Sequence, residues 1–213
     1  MNYREFKNKF QAVPLIISKD VVRQLSNGQT FRNQLNRWHK KGLIVKLKRG
    51  IYLLNKNDRK NEPSLMFIAN QLYVPSYVSL EFALNYYDLI PERTADLTSV
   101  STRKTMRFKN EFGVFIYQQI KPNAFRGFKL VKDANDMPLL LAEPEKAVID
   151  FLYLNLSRFQ KKIEEQFSIS YRFQNTESLS EKRLLELAKT FNNKKLMSVV
   201  KDFSSFIKNE AEQ

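Results

Sequence analysis

Between Gln29 and Lys40 the sequence "QTFRNQLNRWHK" spaces amide and guanidinium side chains as a helix that reads DNA bases would need them. Gln and Asn offer the donor and acceptor pair that matches adenine, and Arg offers the fork that fits the two acceptors of guanine. At roughly 100° per residue, Phe31, Leu35 and Trp38 fall within about 60° of one another and form a narrow apolar stripe. Gln29, Arg32, Asn33, Asn36, Arg37 and Lys40 take up the polar remainder of the circumference. Such a helix keeps one stripe for its own core and leaves a face for a ligand. Lys46, Lys48 and Arg49 follow directly in "VKLKRGIYLL", cations suited to backbone phosphate or the minor groove.

Other chemistries find little to work with. The chain has no cysteine and a single histidine, which excludes disulfides, thiolate zinc sites, iron–sulfur clusters and cysteine nucleophiles, and leaves almost nothing for His-based triads or metal sites. His39 flanks the apolar stripe and reads as a surface or half-buried side chain. The five glycines are scattered, so neither a phosphate-binding G-x-x-x-x-G-K loop nor a G-x-G-x-x-G fingerprint is present. A nucleotidyltransferase would need a Gly-Ser turn followed by paired aspartates, and none occurs. Asp133, Asp136, Glu143, Glu145 and Lys146 are the best nuclease cluster, yet two-metal cleavage wants its carboxylates and lysine alternating along one strand face. Glu145 and Lys146 are adjacent and open a helix, where compensation of the macrodipole explains an acid without catalysis. No catalytic residue, metal or cofactor is expected.

The cations are unevenly placed. Residues 1–60 hold 15 Lys and Arg against Glu5, Asp20 and Asp58, a net +12, while the remaining residues contribute only +2 of the total +14. A positive field confined to one quarter of the chain attracts a polyanion through counterion release, and double-stranded DNA is the expected partner. A membrane surface is the weaker candidate, because the apolar stripes are narrow enough to be used up by a core. No run of 18 apolar residues occurs and the first ten residues are charged, which predicts a cytoplasmic protein. A second basic run, "STRKTMRFK" from Ser101, reads as a solvated hairpin with phosphate contact as its functional alternative.

The elements that position these residues follow from period and punctuation. Tyr3, Phe6 and Phe10 predict a helix over 2–11, "PLII" a short strand, and Ser18 the N-cap of a second helix carrying Val21, Val22 and Leu25, with a turn at "SNG". The 29–40 helix comes third. "LIVKLK" and "IYLL" then alternate as strands around Lys48, Arg49 and Gly50. Three helices and a basic hairpin predict an N-terminal winged helix-turn-helix over 1–58, with its third helix in the major groove. "NKNDRKNEP" predicts an exposed linker. An α+β domain over 63–213 follows: helices at "SLMFIANQLY" and "LEFALNYYDLI", the latter capped by Ser79, then a mainly antiparallel sheet between 96 and 142. "EPEKAVIDFLYL" is a helix with Pro144 in its first turn, and two C-terminal helices begin at the "SLSE" capping box and around Val199.

"LNRWHKKGLIVKLKRGIYLL", "PSYVSLEFALNYYDLIPE", "STRKTMRF" and "LLLAEPEKAVIDFLYL", in this order over roughly residues 1–155, resemble the AbiEi family. Its members are antitoxins and transcriptional regulators of abortive-infection, type IV toxin–antitoxin pairs, a phage-defence system. The resemblance implies a winged helix that binds inverted repeats in the promoter of its own operon. It further implies a C-terminal domain that neutralises a nucleotidyltransferase toxin without a stable complex. The expected function is therefore a non-enzymatic regulator and antitoxin. A DNA-targeted nuclease or other DNA-modifying enzyme, and a winged-helix protein-interaction scaffold, are the alternatives.

Overall fold

A computed structural model describes residues 1–23, 28–159 and 162–211. The chain is mixed α+β, with two sheets and two hydrophobic cores that meet at one hairpin. Its first 54 residues give α1 (Tyr3–Phe10), β1 (Ile16–Ile17), α2 (Ser18–Val22), α3 (Gly28–Lys40), β2 (Ile44–Lys48) and β3 (Ile51–Leu54). Asn2 and Glu5 cap α1 reciprocally, each side chain accepting from the other's backbone N–H. Ser18 does not cap α2; it is the helix's first residue, and its backbone N–H donates to Gly50 O. Leu25 and the "SN" of the expected turn lie outside the described residues.

The three strands pair in the order β1-β3-β2, all antiparallel, with Gly50 at φ 90° closing the hairpin. Phe31, Leu35 and Trp38 of α3 are buried against Phe6, Ile16, Ile44, Tyr52 and Leu54, as the helical stripe predicts. The opposite face of the hairpin is buried too: Val45, Leu47, Ile51 and Leu53 join the larger core. That is the physical meaning of "IYLL", four successive apolar residues with no solvent face.

The larger unit adds α4 (Leu65–Leu72), β4 (Ser76–Val78), α5 (Leu80–Tyr86), β5 (Leu97–Ser101), β6 (Met106–Asn110), β7 (Gly113–Gln119), β8 (Phe128–Lys132), β9 (Pro138–Ala142) and α6 (Pro144–Leu154). The strands form one sheet in the order β6-β7-β5-β4-β9-β8. It is mixed: three neighbouring pairs are antiparallel, while β5 with β7 and β4 with β9 are parallel. No helix is needed to bring β7 round beside β5, because the edge strand β6 carries the chain back. Tyr117 Oη donates to Ala69 O, placing α4 on one face, and Tyr77 Oη donates to Asp150, placing α6 on the other. The helical layer is completed by α7 (Ile163–Glu165), which runs into a π-helical turn, then α8 (Glu181–Lys189) and α9 (Lys194–Ala211). Ser180, two residues after the first Ser of "SLSE", caps α8 by accepting from Arg183 N–H. Leu196, Val199, Val200, Phe203 and Ile207 of α9 are buried.

The stretch 55–63 is largely exposed, as its polar composition predicts, but it is fastened to the N-terminal segment. Lys60 N–H donates to Gln11 O, Asn61 to Ala12 O, and Tyr3 Oη to Asp58. Arg59, with a side chain only 7% exposed, pairs with Glu62 and lies over the Phe112 ring. Several polar side chains of the stretch are engaged with backbone or in ion pairs, so hydrophilicity here marks a strap.

Asp58 sits between Lys7 and the Tyr3 hydroxyl, whose hydrogen bonds hold its carboxyl below the ordinary value of 3.8 despite partial burial. A depressed carboxyl stabilises the fold above its unfolded pKa and loses that contribution as pH falls through its folded pKa. Asp58→Asn should therefore cost about 1–2 kcal/mol near pH 6, because hydrogen bonds to a charged group are lost and Lys7 is partly exposed. In urea unfolding across pH 2–7, the gap between variant and parent should close below about pH 4; a gap unchanged at pH 2 would contradict the assignment.

Candidate nucleic-acid interface

The face of α3 that turns away from its core is open. Gln29, Arg32, Asn33, Asn36, Arg37 and Lys40 are all exposed, and Gln34 on the flank donates to Met1 O. Gln29 Nε2 donates to Asn33 Oδ1 at 3.2 Å, so these two amides orient each other one turn apart. Asn36 and the cations of Arg32, Arg37 and Lys40 have no hydrogen-bond or ion-pair partner among the described residues. An unpaired cation on a rigid helix is available to a phosphate or a base edge without first breaking a contact. His39 is exposed and its Nδ1 lies 3.3 Å from Ile44 O, which ties the end of α3 to β2.

The hairpin cations divide. Arg49 is exposed and unpaired, and Lys46 is half-buried but also without a partner among the described residues. Lys48 is different. A register shift between Lys46 and Lys48 sets Lys48 opposite Ile51, on the face that joins the larger core. Its ammonium donates to Leu72 O and lies over the Phe108 ring at 5.4 Å. Burial, followed by the nearby Arg103 charge, lowers its pKa. Simple alternation would have pointed it outward with Lys46; the bulge turns it into a joint between hairpin and sheet, where its ammonium is already engaged.

The second basic run is brought alongside. Asn110 donates to Leu47 O, fastening β6 to β2, and Arg107 and Lys109 of β6 are exposed. Arg103 is held over the Tyr73 ring at 4.6 Å and donates to Val74 O. The hairpin thus docks on the face of β6 that carries Phe108 and Asn110, whereas Arg107 and Lys109 alternate to the opposite face, Arg107 beside Ile116.

The five residues of the nuclease cluster each have another occupation. Asp133 accepts from Asn135 and Met137 N–H and shapes the β8–β9 turn, Asp136 pairs with Lys132, Glu143 with Arg183, and Glu145 accepts from Ser180 N–H. Lys146 is fully buried, bonded to Asp150 at 2.5 Å. Among the described residues no group of three or more His, Asp or Glu side chains is placed to hold a metal ion.

The Lys146–Asp150 pair is a feature that sequence reading missed. Tyr77 Oη and Ser79 Oγ also donate to Asp150, at 2.8 and 2.9 Å, so the hydroxyl expected to cap α5 is spent on a buried carboxylate. A signal was present: "KAVID" sets Lys and Asp four apart inside an otherwise apolar helix, the spacing of a paired buried charge.

Neither protein-family models nor curated proteins match this chain. Among the described residues no helix is long and apolar enough to cross a membrane.

Proposed function

We propose that this protein is a DNA-binding transcriptional regulator whose N-terminal part works as a winged helix-turn-helix. On this reading α3 enters the major groove of an operator in its own promoter, and Arg49 and Lys46 grip the flanking backbone. The observation that carries the proposal is the division of α3: Phe31, Leu35 and Trp38 buried, and six amide, guanidinium and ammonium side chains open on the other side. Such a face, within a segment carrying +12, has the composition for base readout and the charge for phosphate attraction.

The antitoxin role, of the AbiEi kind, rests on the four sequence blocks quoted above, and the larger α+β unit is its proposed carrier. The protein neutralises a nucleotidyltransferase toxin and represses the operon encoding both. The test has two arms. The purified protein should retard a duplex carrying its own promoter at nanomolar concentration, on the order of 10⁻⁸ M as specific regulators do. It should also restore growth to cells expressing a nucleotidyltransferase encoded beside it. Loss of the first arm removes the regulator reading; loss of the second alone removes the antitoxin.

A further inference from the structure

The face of the larger sheet that carries α5 and α6 is incompletely covered. Leu80 and Glu81 of α5, Leu154 at the end of α6, and Ile116 and Gln118 of β7 line an open cavity of about 600 Å³. That size suits a small organic molecule, since ligand sites span about 300–1,000 Å³. None of its walls comes from α1–α3 or the hairpin, so the inference is independent of the nucleic-acid reading.

One wall is held in a strained conformation. Leu80 is buried at φ 61°, a left-handed backbone that a bulky residue keeps only where its surroundings enforce it. The enforcement is visible. Ser79 N–H donates to Thr98 O, the Thr98 hydroxyl donates to Ser79 O, Phe82 N–H donates to Thr98 Oγ1, and the Ser79 hydroxyl donates to Asp150. Clamped this way, Leu80 supplies the apolar part of the lining together with Ala95, Ile116 and Leu154, among otherwise polar walls.

The charges in the cavity do not cancel. Arg158 donates to Tyr171 Oη at 3.0 Å and is offset by the nearby Glu81 carboxylate. Asp96 is half-buried and has neither a hydrogen bond nor an ion pair among the described residues. On a chain of net charge +14, an unpaired carboxylate sharing a cavity with apolar side chains selects a ligand of the opposite sign.

We propose that this cavity binds a small amphiphilic amine, with its ammonium on Asp96 and its hydrocarbon on Leu80, Ile116 and Leu154. The probe is hexylamine, protonated at neutral pH, compared with hexanoate by NMR titration of the full chain. Hexylamine should shift the resonances of Ile116, Gln118 and Leu154 saturably, and hexanoate should not. The overall charge of the protein works against this result, so non-specific attraction cannot mimic it. Asp96→Asn should weaken hexylamine about tenfold or more, the worth of one hydrogen bond to a charged partner. Arg158→Gln frees Glu81 and should tighten it. Tighter or equal binding of hexanoate, no saturable shift with hexylamine, or an affinity unmoved by Asp96→Asn would each overturn the proposal.

Discussion

Replacing Lys146 by Met should destabilise the protein by about 3–5 kcal/mol, because it leaves the Asp150 carboxylate enclosed without its counter-charge. Both side chains are 0% exposed, and the Lys146 ammonium also lies 4.5 Å from the centre of the Phe191 ring. Tyr77 and Ser79 would still donate to Asp150, but two hydroxyl groups do not replace a cation in a low-dielectric site. For a chain of this size the loss lowers Tm by about 10 °C, measurable by calorimetry or urea unfolding. Burial already pushes the Asp150 carboxyl up and the Lys146 ammonium down, each opposed by the other. Without Lys146 the upward push on Asp150 is unopposed. A carboxyl raised above its unfolded value favours the folded state more as pH falls, so the deficit should be smaller at pH 5 than at pH 8. Lys146→Met combined with Asp150→Leu should recover much of the loss, since exchanging a buried pair for apolar residues is often neutral. A single-variant loss under about 1 kcal/mol would show that the pair contributes nothing particular.

What the sequence disclosed and what it hid follow from range. The α3 stripe is local: Phe31, Leu35 and Trp38 recur at one helical period, and the structure buries these three. Gly50 after Lys48 and Arg49 marks the hairpin turn, because a positive φ is a local demand. Long-range features were hidden. "IYLL" is compatible with a strand covered on one or both faces, and only the docking of β6 and α4 decides it. The bulge that turns Lys48 inward is a property of pairing with β3, invisible in an alternating "VKLK". The parallel β5–β7 pair escaped because a strand served as its crossover where a helix was sought. Lys146, four positions from Asp150, was in view, but the donors Tyr77 and Ser79 that complete the buried cluster lie more than 70 positions away. For the candidate interface, the residue types were legible but their availability was not: Arg49 and Lys48 are neighbours with opposite surroundings.

That contrast yields the sharpest test of the regulator reading. Binding to the promoter duplex should weaken steeply with salt, log affinity falling by about 0.9 per decade of salt for each phosphate neutralised. Arg49→Glu removes an open cation and should lower that slope by about one unit while leaving Tm unchanged. Lys48→Glu should do the reverse, lowering Tm because the side chain lies against Leu72 O and Phe108. Arg32→Ala and Asn36→Ala address the bases. Each should cost about 1–3 kcal/mol on the operator, some ten- to hundredfold in Kd, with a far smaller effect on unrelated duplex. A uniform loss on all sequences would move those side chains from base edges to phosphates. An affinity independent of salt would leave the exposed face of α3 to a protein partner, since no polyelectrolyte is bound without releasing its counterions.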